Sequence, residues 1–355
     1  MPFKSFKRPL IVIFSIIWIV IVGEIFLRIY EPQALVPRYI QAGDFGIRVN
    51  MPNQTYWHKT PDYKIKFRTN SKGIRSDHEI PYEKPEDTKR IVILGDSFGF
   101  GYGVSLEDTF TQQLRKRFAA EGENVEIVNL SASGYGTDEQ LLALQNEGIK
   151  YQPDFVISTW HKSDPVDNLR SGLFKLSDGK LVRKNKTYLP AVKMRETLFK
   201  FAIYRWLADD SHFYNWIRAF VATKVKRTLN TMKKNESSPS KSAEERTAKI
   251  QQRKLNLSIA LLKEIQLTAK QSGSEFVLLD IPIKESRTTF TSSMPLEITH
   301  SFPVVNPIES FNQQKGNLIY WENSHGHFTP LGCNIVADNL FKKIKNIIKN
   351  EKSGD

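Results

Sequence analysis

The chain has 355 residues, 40% hydrophobic and 25% charged, figures that fit one large domain with additions or two modest ones and exclude collagen, global disorder and a polytopic membrane protein. A single cysteine, Cys333, excludes an internal disulfide framework and a Cys-based zinc site. Lys and Arg outnumber Asp and Glu by 51 to 38, and ten of these bases fall between Lys224 and Lys254 against three Glu; with no nucleic-acid module beside them, they read as a solvated helix face or a mobile loop, and nucleic acid is not expected as a partner.

The N-terminus opens with Lys4, Lys7 and Arg8 and then runs uncharged from Leu10 to Gly23. Extended through residues 9–27, this stretch makes a helix of about 28 Å, close to one hydrocarbon thickness. The basic cluster before it keeps the N-terminus in the cytoplasm and sends the remainder outside. No small-x-small cleavage site follows, so an uncleaved anchor over residues 9–28 in the inner membrane is expected rather than a signal peptide. Arg28 can snorkel and Tyr30 can sit at the interface, whereas Glu24 is tolerable only near the outer headgroups.

Residues 31–90 carry scattered Pro and one alternating run, residues 63–68, which predict a small β-rich link between membrane and main domain. An apolar strand over residues 91–94 follows. Ser105 and Asp108 predict the start of a helix reaching about Ala120. A second strand over 125–130 leads into the loop 131–136, Thr137 and Gln140 predict the cap of another helix, and residues 155–160 form a third strand. Such alternation predicts a three-layer α/β sandwich of flavodoxin-like type, with a central parallel sheet between helices. Asp178-Gly179 between two short apolar runs is a hairpin signal.

From Ala191 to Asn235 the pattern is helical and rich in Phe, Tyr and Trp, with Lys200, Arg205 and Arg218 among them. It predicts a helical insertion beside the site or against the membrane; the alternative is a cap that buries those aromatics. A mobile loop over 235–242, a helix over 249–271, a strand over 276–281 and a closing helix over 332–349 complete the pattern. The implied organisation is a stub and anchor (1–30), a juxtamembrane segment (31–90), the first part of the core (91–190), the basic insertion (191–248) and the second part of the core (249–350).

Gly95-Asp96-Ser97-Phe98-Gly99, at the end of the first strand, fits the turn in which G-x-S-x-G exposes a serine hydroxyl. A serine needs a base, and His325 and His327 lie just before the last helix. Two further loops, Ser133 to Thr137 and His161 to Asn168, end at the same sheet edge, where open α/β sheets place their sites. No carboxylate ligand stands beside the histidine pair, so neither a metal nor another cofactor is expected.

With these blocks in place the chain resembles the SGNH (GDSL-type) hydrolases, in particular a membrane-anchored bacterial branch. The resemblance covers about residues 60–182 and 255–349. It implies that Ser97 attacks an ester carbonyl with His327 as base, and that the backbone N–H groups of Ser97 and Gly134 hold the oxyanion. Where the family has Gly-Asn-Asp, this chain has Lys162-Ser163-Asp164, so Ser163 stands in the place of the side-chain oxyanion donor, with Asp164 beside it. The family's aspartate shortly before the histidine is replaced by Ser324 and His325, which leaves Asp164, Asp280 or a backbone carbonyl as candidates for the acid role. An extracytoplasmic esterase or O-acyl transferase for an acylated carbohydrate, a lipid-linked ester or another small ester is therefore expected. The alternative is a weak or inactive relative that binds a glycan or a partner in envelope polysaccharide metabolism.

Overall fold

The computed structural model describes residues 7–235, 241–314, 316–324 and 326–353. Helix α1, Lys7–Tyr30, opens the chain. Its segment Pro9–Tyr30 has a mean hydropathy of 2.9 and is long and apolar enough to cross a membrane. Two antiparallel hairpins follow, Ile40–Ala42 with Arg48–Asn50 and Thr55–Lys59 with Lys64–Arg68. Only the second carries the alternation visible in the sequence.

The central sheet contains β1 (Lys89–Leu94), β2 (Val125–Asn129), β3 (Phe155–Trp160), β4 (Glu275–Asp280) and the short edge strand β5 (Val304–Val305). Their spatial order is β5-β4-β3-β1-β2, all parallel. Because the strands are sandwiched, successive residues serve opposite cores: Ile91 and Ile93 pack with Phe110, Leu114 and Leu340, whereas Val92 and Leu94 pack with Leu141, Leu261 and Ile265. Helices α3 (Phe110–Ala120) and the closing Pro330–Ser353 cover the first face. Helices α4 (Thr137–Asn146) and, later in the chain, Lys241–Gln271 cover the second. The reversal of strand order falls between β1 and β3, the crevice where a doubly wound sheet places its ligand, and a single helical turn, α2 (Ser97–Phe100), follows β1 at that point.

Several boundaries differ from expectation. Ser105 does not start a long helix. Its hydroxyl donates to Asp108 Oδ2 at 2.6 Å over a 3₁₀ turn, Leu106–Asp108, and Thr109 caps α3 by accepting from the Gln112 N–H. Gly136, not Thr137, is the cap residue of α4, with Glu139 Oε2 accepting from its N–H at 3.2 Å. The predicted hairpin joins Phe174–Ser177 to Lys180–Arg183, with Asp178 and Gly179 both at positive φ, as a two-residue turn of this type requires.

After α5 (Asp164–Ser171) and that hairpin, the insertion comprises α6 (Val192–Leu198), α7 (Ala202–Asp210) and α8 (His212–Asn235). Helix α9 begins at Lys241 rather than near residue 249, so the expected loop over 235–242 is flanked directly by helix; residues 236–240 lie outside the described residues. The cap alternative fails for Phe201, Trp206 and Phe220, which are all exposed. Glu24 is fixed by the insertion itself: its carboxylate accepts from the backbone N–H groups of His212 and Phe213 (3.0 and 2.8 Å) and from the Ser211 hydroxyl (2.8 Å). An acid at a helix N-terminus satisfies donors that the helix leaves open. The polar residue in the apolar helix thus shares the capping of α8 with Ser211, whose hydroxyl accepts from the Tyr214 N–H at 3.1 Å.

Candidate active site

Ser97 is the first residue of α2, held in a sharp exit from β1 by its neighbours. Asp96 Oδ1 accepts from the Phe98 N–H at 2.9 Å and fixes the turn. A Cβ at Gly95 would run into Thr159 Oγ1, and one at Gly99 into Ser131 Oγ, so both glycines of the G-x-S-x-G turn are required by close approach. Asn129 at the end of β2 donates from Nδ2 to the Gly99 carbonyl at 2.8 Å, tying the turn to the next strand.

His327 comes from the opposite end of the chain. It sits on a short bend where Tyr320 bridges Phe328 and the Trp321 N–H donates to the His327 carbonyl at 2.9 Å. Trp321 Nε1 donates to the Gly103 carbonyl at 2.8 Å, which anchors the bend against the Ser97 loop. The imidazole packs on the Phe98 and Tyr102 rings at 4.8 and 4.7 Å. Its Nε2 lies 2.8 Å from Ser97 Oγ. Both side chains are partly exposed, so a substrate can reach them.

Gly134 occupies a left-handed turn, φ 82°, in the loop after β2. Among the described residues no hydrogen bond occupies the N–H of Ser97 or of Gly134. The carbonyl of Gly134 accepts from Arg48 Nη2, and the same guanidinium binds Glu139 at 2.8 Å. The Ser133 hydroxyl accepts from the Tyr39 hydroxyl at 2.7 Å. The loop is therefore clamped from the N-terminal hairpin, a contact no local pattern announced.

The third loop departs from expectation. Ser163 Oγ lies 3.0 Å from His161 Nδ1, so the expected side-chain oxyanion donor is turned to a neighbour. Asp164 is fully buried and accepts from the His161 N–H at 3.0 Å; it shapes the loop instead of facing substrate. His161 packs on Phe98 at 5.1 Å and lies 3.6 Å from Asp96 Oδ2. Burial pushes the Asp96 carboxyl up and the His161 imidazole down, which favours the neutral form of each.

Neither acid candidate meets the base. Asp280 is bonded to the Ser292 hydroxyl, and Asp164 to the loop backbone; neither carboxylate bonds His327. Burial pushes Asp280 up to about 6. His325, the other supporting candidate, lies outside the described residues. Among the described residues no group of His, Cys, Asp and Glu is arranged to hold a metal ion.

No family model matches the chain and no curated protein matches it. Solved structures to which it is similar include TesA, at 14% identity and TM-score 0.39 over 73% of this chain and 99% of that one. A lipase/acylhydrolase from Enterococcus faecalis, at 14% identity and TM-score 0.37, is matched over 73% of this chain and 96% of that one. The acetylxylan esterase Axe2 from Geobacillus stearothermophilus, at 13% and 0.37, is matched over 72% and 94%. At identities this low, the functional reading rests on the geometry of this chain.

Proposed function

We propose that the protein is a serine esterase or O-acyl transferase, anchored by α1 with its main domain outside the cytoplasm, acting on an acylated carbohydrate or lipid-linked ester. The observation that carries this reading is the 2.8 Å contact between Ser97 Oγ and His327 Nε2 at the switch point of the sheet. In the first step Ser97 Oγ attacks the ester carbonyl carbon and gives its proton to His327 Nε2. The backbone N–H groups of Ser97 and Gly134 receive the oxyanion. Collapse breaks the bond to the alcohol oxygen, which leaves with the proton from His327, and an acyl-Ser97 remains. Water, or a sugar hydroxyl in the transfer reaction, then attacks the acyl group with His327 as base; a carboxylic acid or a new ester departs and Ser97 regains its proton.

Retention of the anchor is supported by Glu24, because removal of α1 would leave the His212 and Phe213 N–H groups in the first turn of α8 without their acceptor. Lys4, Lys7 and Arg8 support the outward orientation. Where the resemblance expects an aspartate shortly before the histidine, this chain has Ser324 and His325, and loss of the equivalent acid in other serine hydrolases costs about 10⁴ in rate. This favours slow turnover, and it keeps a second reading in play, a glycan- or partner-binding protein that retains the geometry without the rate. Turnover of p-nitrophenyl acetate by the full chain in neutral detergent separates the two. Hydrolysis abolished by Ser97→Ala supports the enzyme; hydrolysis unchanged in Ser97→Ala supports the binding protein.

A further inference from the structure

A groove of about 780 Å³ lies between the segment that leaves α1 and the helical insertion. Its lining includes Tyr102 and Ser133. The Tyr102 ring packs on His327 at 4.7 Å, and Ser133 adjoins Gly134. The lining also includes Ala219 and Ala222 of α8, the helix whose first turn is fastened to α1 through Glu24. The groove therefore joins α8, which is fastened to α1, to residues that adjoin the nucleophile's surroundings.

The walls are strongly cationic. Five arginines line the groove against one aspartate, Asp209. Arg38, Arg48 and Arg170 are matched by Glu196, Glu139 and Asp167 at 3.1, 2.8 and 2.8 Å. Arg195 and Arg218 are exposed and form no salt bridge among the described residues. Both line the groove, and Arg218 also acts electrostatically on its one acid, Asp209. Outside the groove, Phe201, Ile203, Trp206, Trp216, Ile217 and Phe220 are exposed on α7 and α8, beside the helix that is apolar enough to span a membrane. Aromatic side chains of this kind sit at the headgroup level of a bilayer, and arginine is the side chain best shaped to grip a phosphate.

We propose that the groove binds a membrane-resident amphiphile with a phosphate headgroup, the phosphate held by Arg195 and Arg218, the tail left in the bilayer beside α1. Its ester is led along the groove to Ser97. The chemistry rests on the reading of Ser97 as nucleophile; the binding does not.

The test uses the full chain carrying Ser97→Ala in neutral dodecyl maltoside micelles, titrated calorimetrically with dodecyl phosphate. Saturable binding is expected, weakened about tenfold or more by Arg195→Gln with Arg218→Gln. The pair Arg195→Lys with Arg218→Lys, which keeps the charge, should retain part of the affinity. Arg115→Gln with Lys116→Gln, which removes the same charge from α3, should leave it unchanged. Equal binding by the glutamine pair, equal loss in the α3 pair, or inorganic phosphate binding as tightly as dodecyl phosphate would each overturn the proposal. A failed esterase reading is distinguishable: it leaves dodecyl phosphate binding intact and abolishes only ester turnover in the unmutated chain.

Discussion

Arg48 grips Glu139 through two prongs, Nη2 to Oε2 at 2.8 Å and Nε to Oε1 at 3.2 Å, and its Nη2 also donates to the Gly134 carbonyl. One side chain from the N-terminal hairpin thus holds both the first turn of α4 and the loop assigned to the oxyanion. Glu139 is almost wholly buried, so removal of Arg48 strands a charge in the interior, at a cost of about 3–5 kcal/mol. Arg48→Met should lower the denaturation midpoint by that order and reduce kcat more than it raises KM. Adding Glu139→Gln should recover much of the stability but not the rate. Denaturant titration and steady-state kinetics on the two variants check both parts.

The cap that Glu24 provides to α8 makes a second expectation. Glu24→Gln keeps one acceptor and loses the charge, which should weaken the junction by about 1 kcal/mol. Hydrogen exchange at the His212 and Phe213 amides should quicken severalfold, with the central sheet unaffected. Unchanged exchange at those two amides would show that the carboxylate does not hold the insertion to α1.

Asp138 sets a pH dependence of stability. Burial pushes its carboxyl up from 3.8 to about 7, against the opposing bonds from the Ser171 hydroxyl and the Glu139 N–H. The folded state therefore holds a proton that the unfolded chain releases near pH 4, and stability falls as pH rises from about 4 to about 7, then levels. The full penalty is on the order of 4 kcal/mol. Asp138→Asn should gain melting temperature relative to the unmutated chain at pH 8 and less than half as much at pH 5. A gain of the same size at both values would contradict the assignment.

The strands that carry the site were legible because a sandwiched parallel strand is a nearly continuous apolar run, as in Ile91 to Leu94 and Phe155 to Trp160. Ser97 and His327 were legible because a glycine-bounded turn and a histidine before the last helix each carry a local signature. Four features were not. The hairpin Ile40–Ala42 with Arg48–Asn50 is too short and too polar to alternate visibly. The Arg48 clamp joins residues more than eighty positions apart, and nothing local marks either partner. The directions of Ser163 and Asp164 are not legible because the loop motif gives residue types and not directions; the Ser163 hydroxyl lies beside His161 Nδ1, and burial takes the Asp164 carboxylate. Thr109 took the cap expected of Ser105 because the Ser105 hydroxyl was spent on Asp108.

The most direct test of the central claim is the rate at which a fluorophosphonate labels the full chain, read by mass spectrometry of the peptide carrying Ser97. If His327 activates Ser97 across their 2.8 Å contact, labelling should fall on Ser97 alone, vanish in Ser97→Ala, and slow by about a hundredfold or more in His327→Ala. A folded protein that takes no label at Ser97, or takes it at the same rate without the imidazole, would contradict the account.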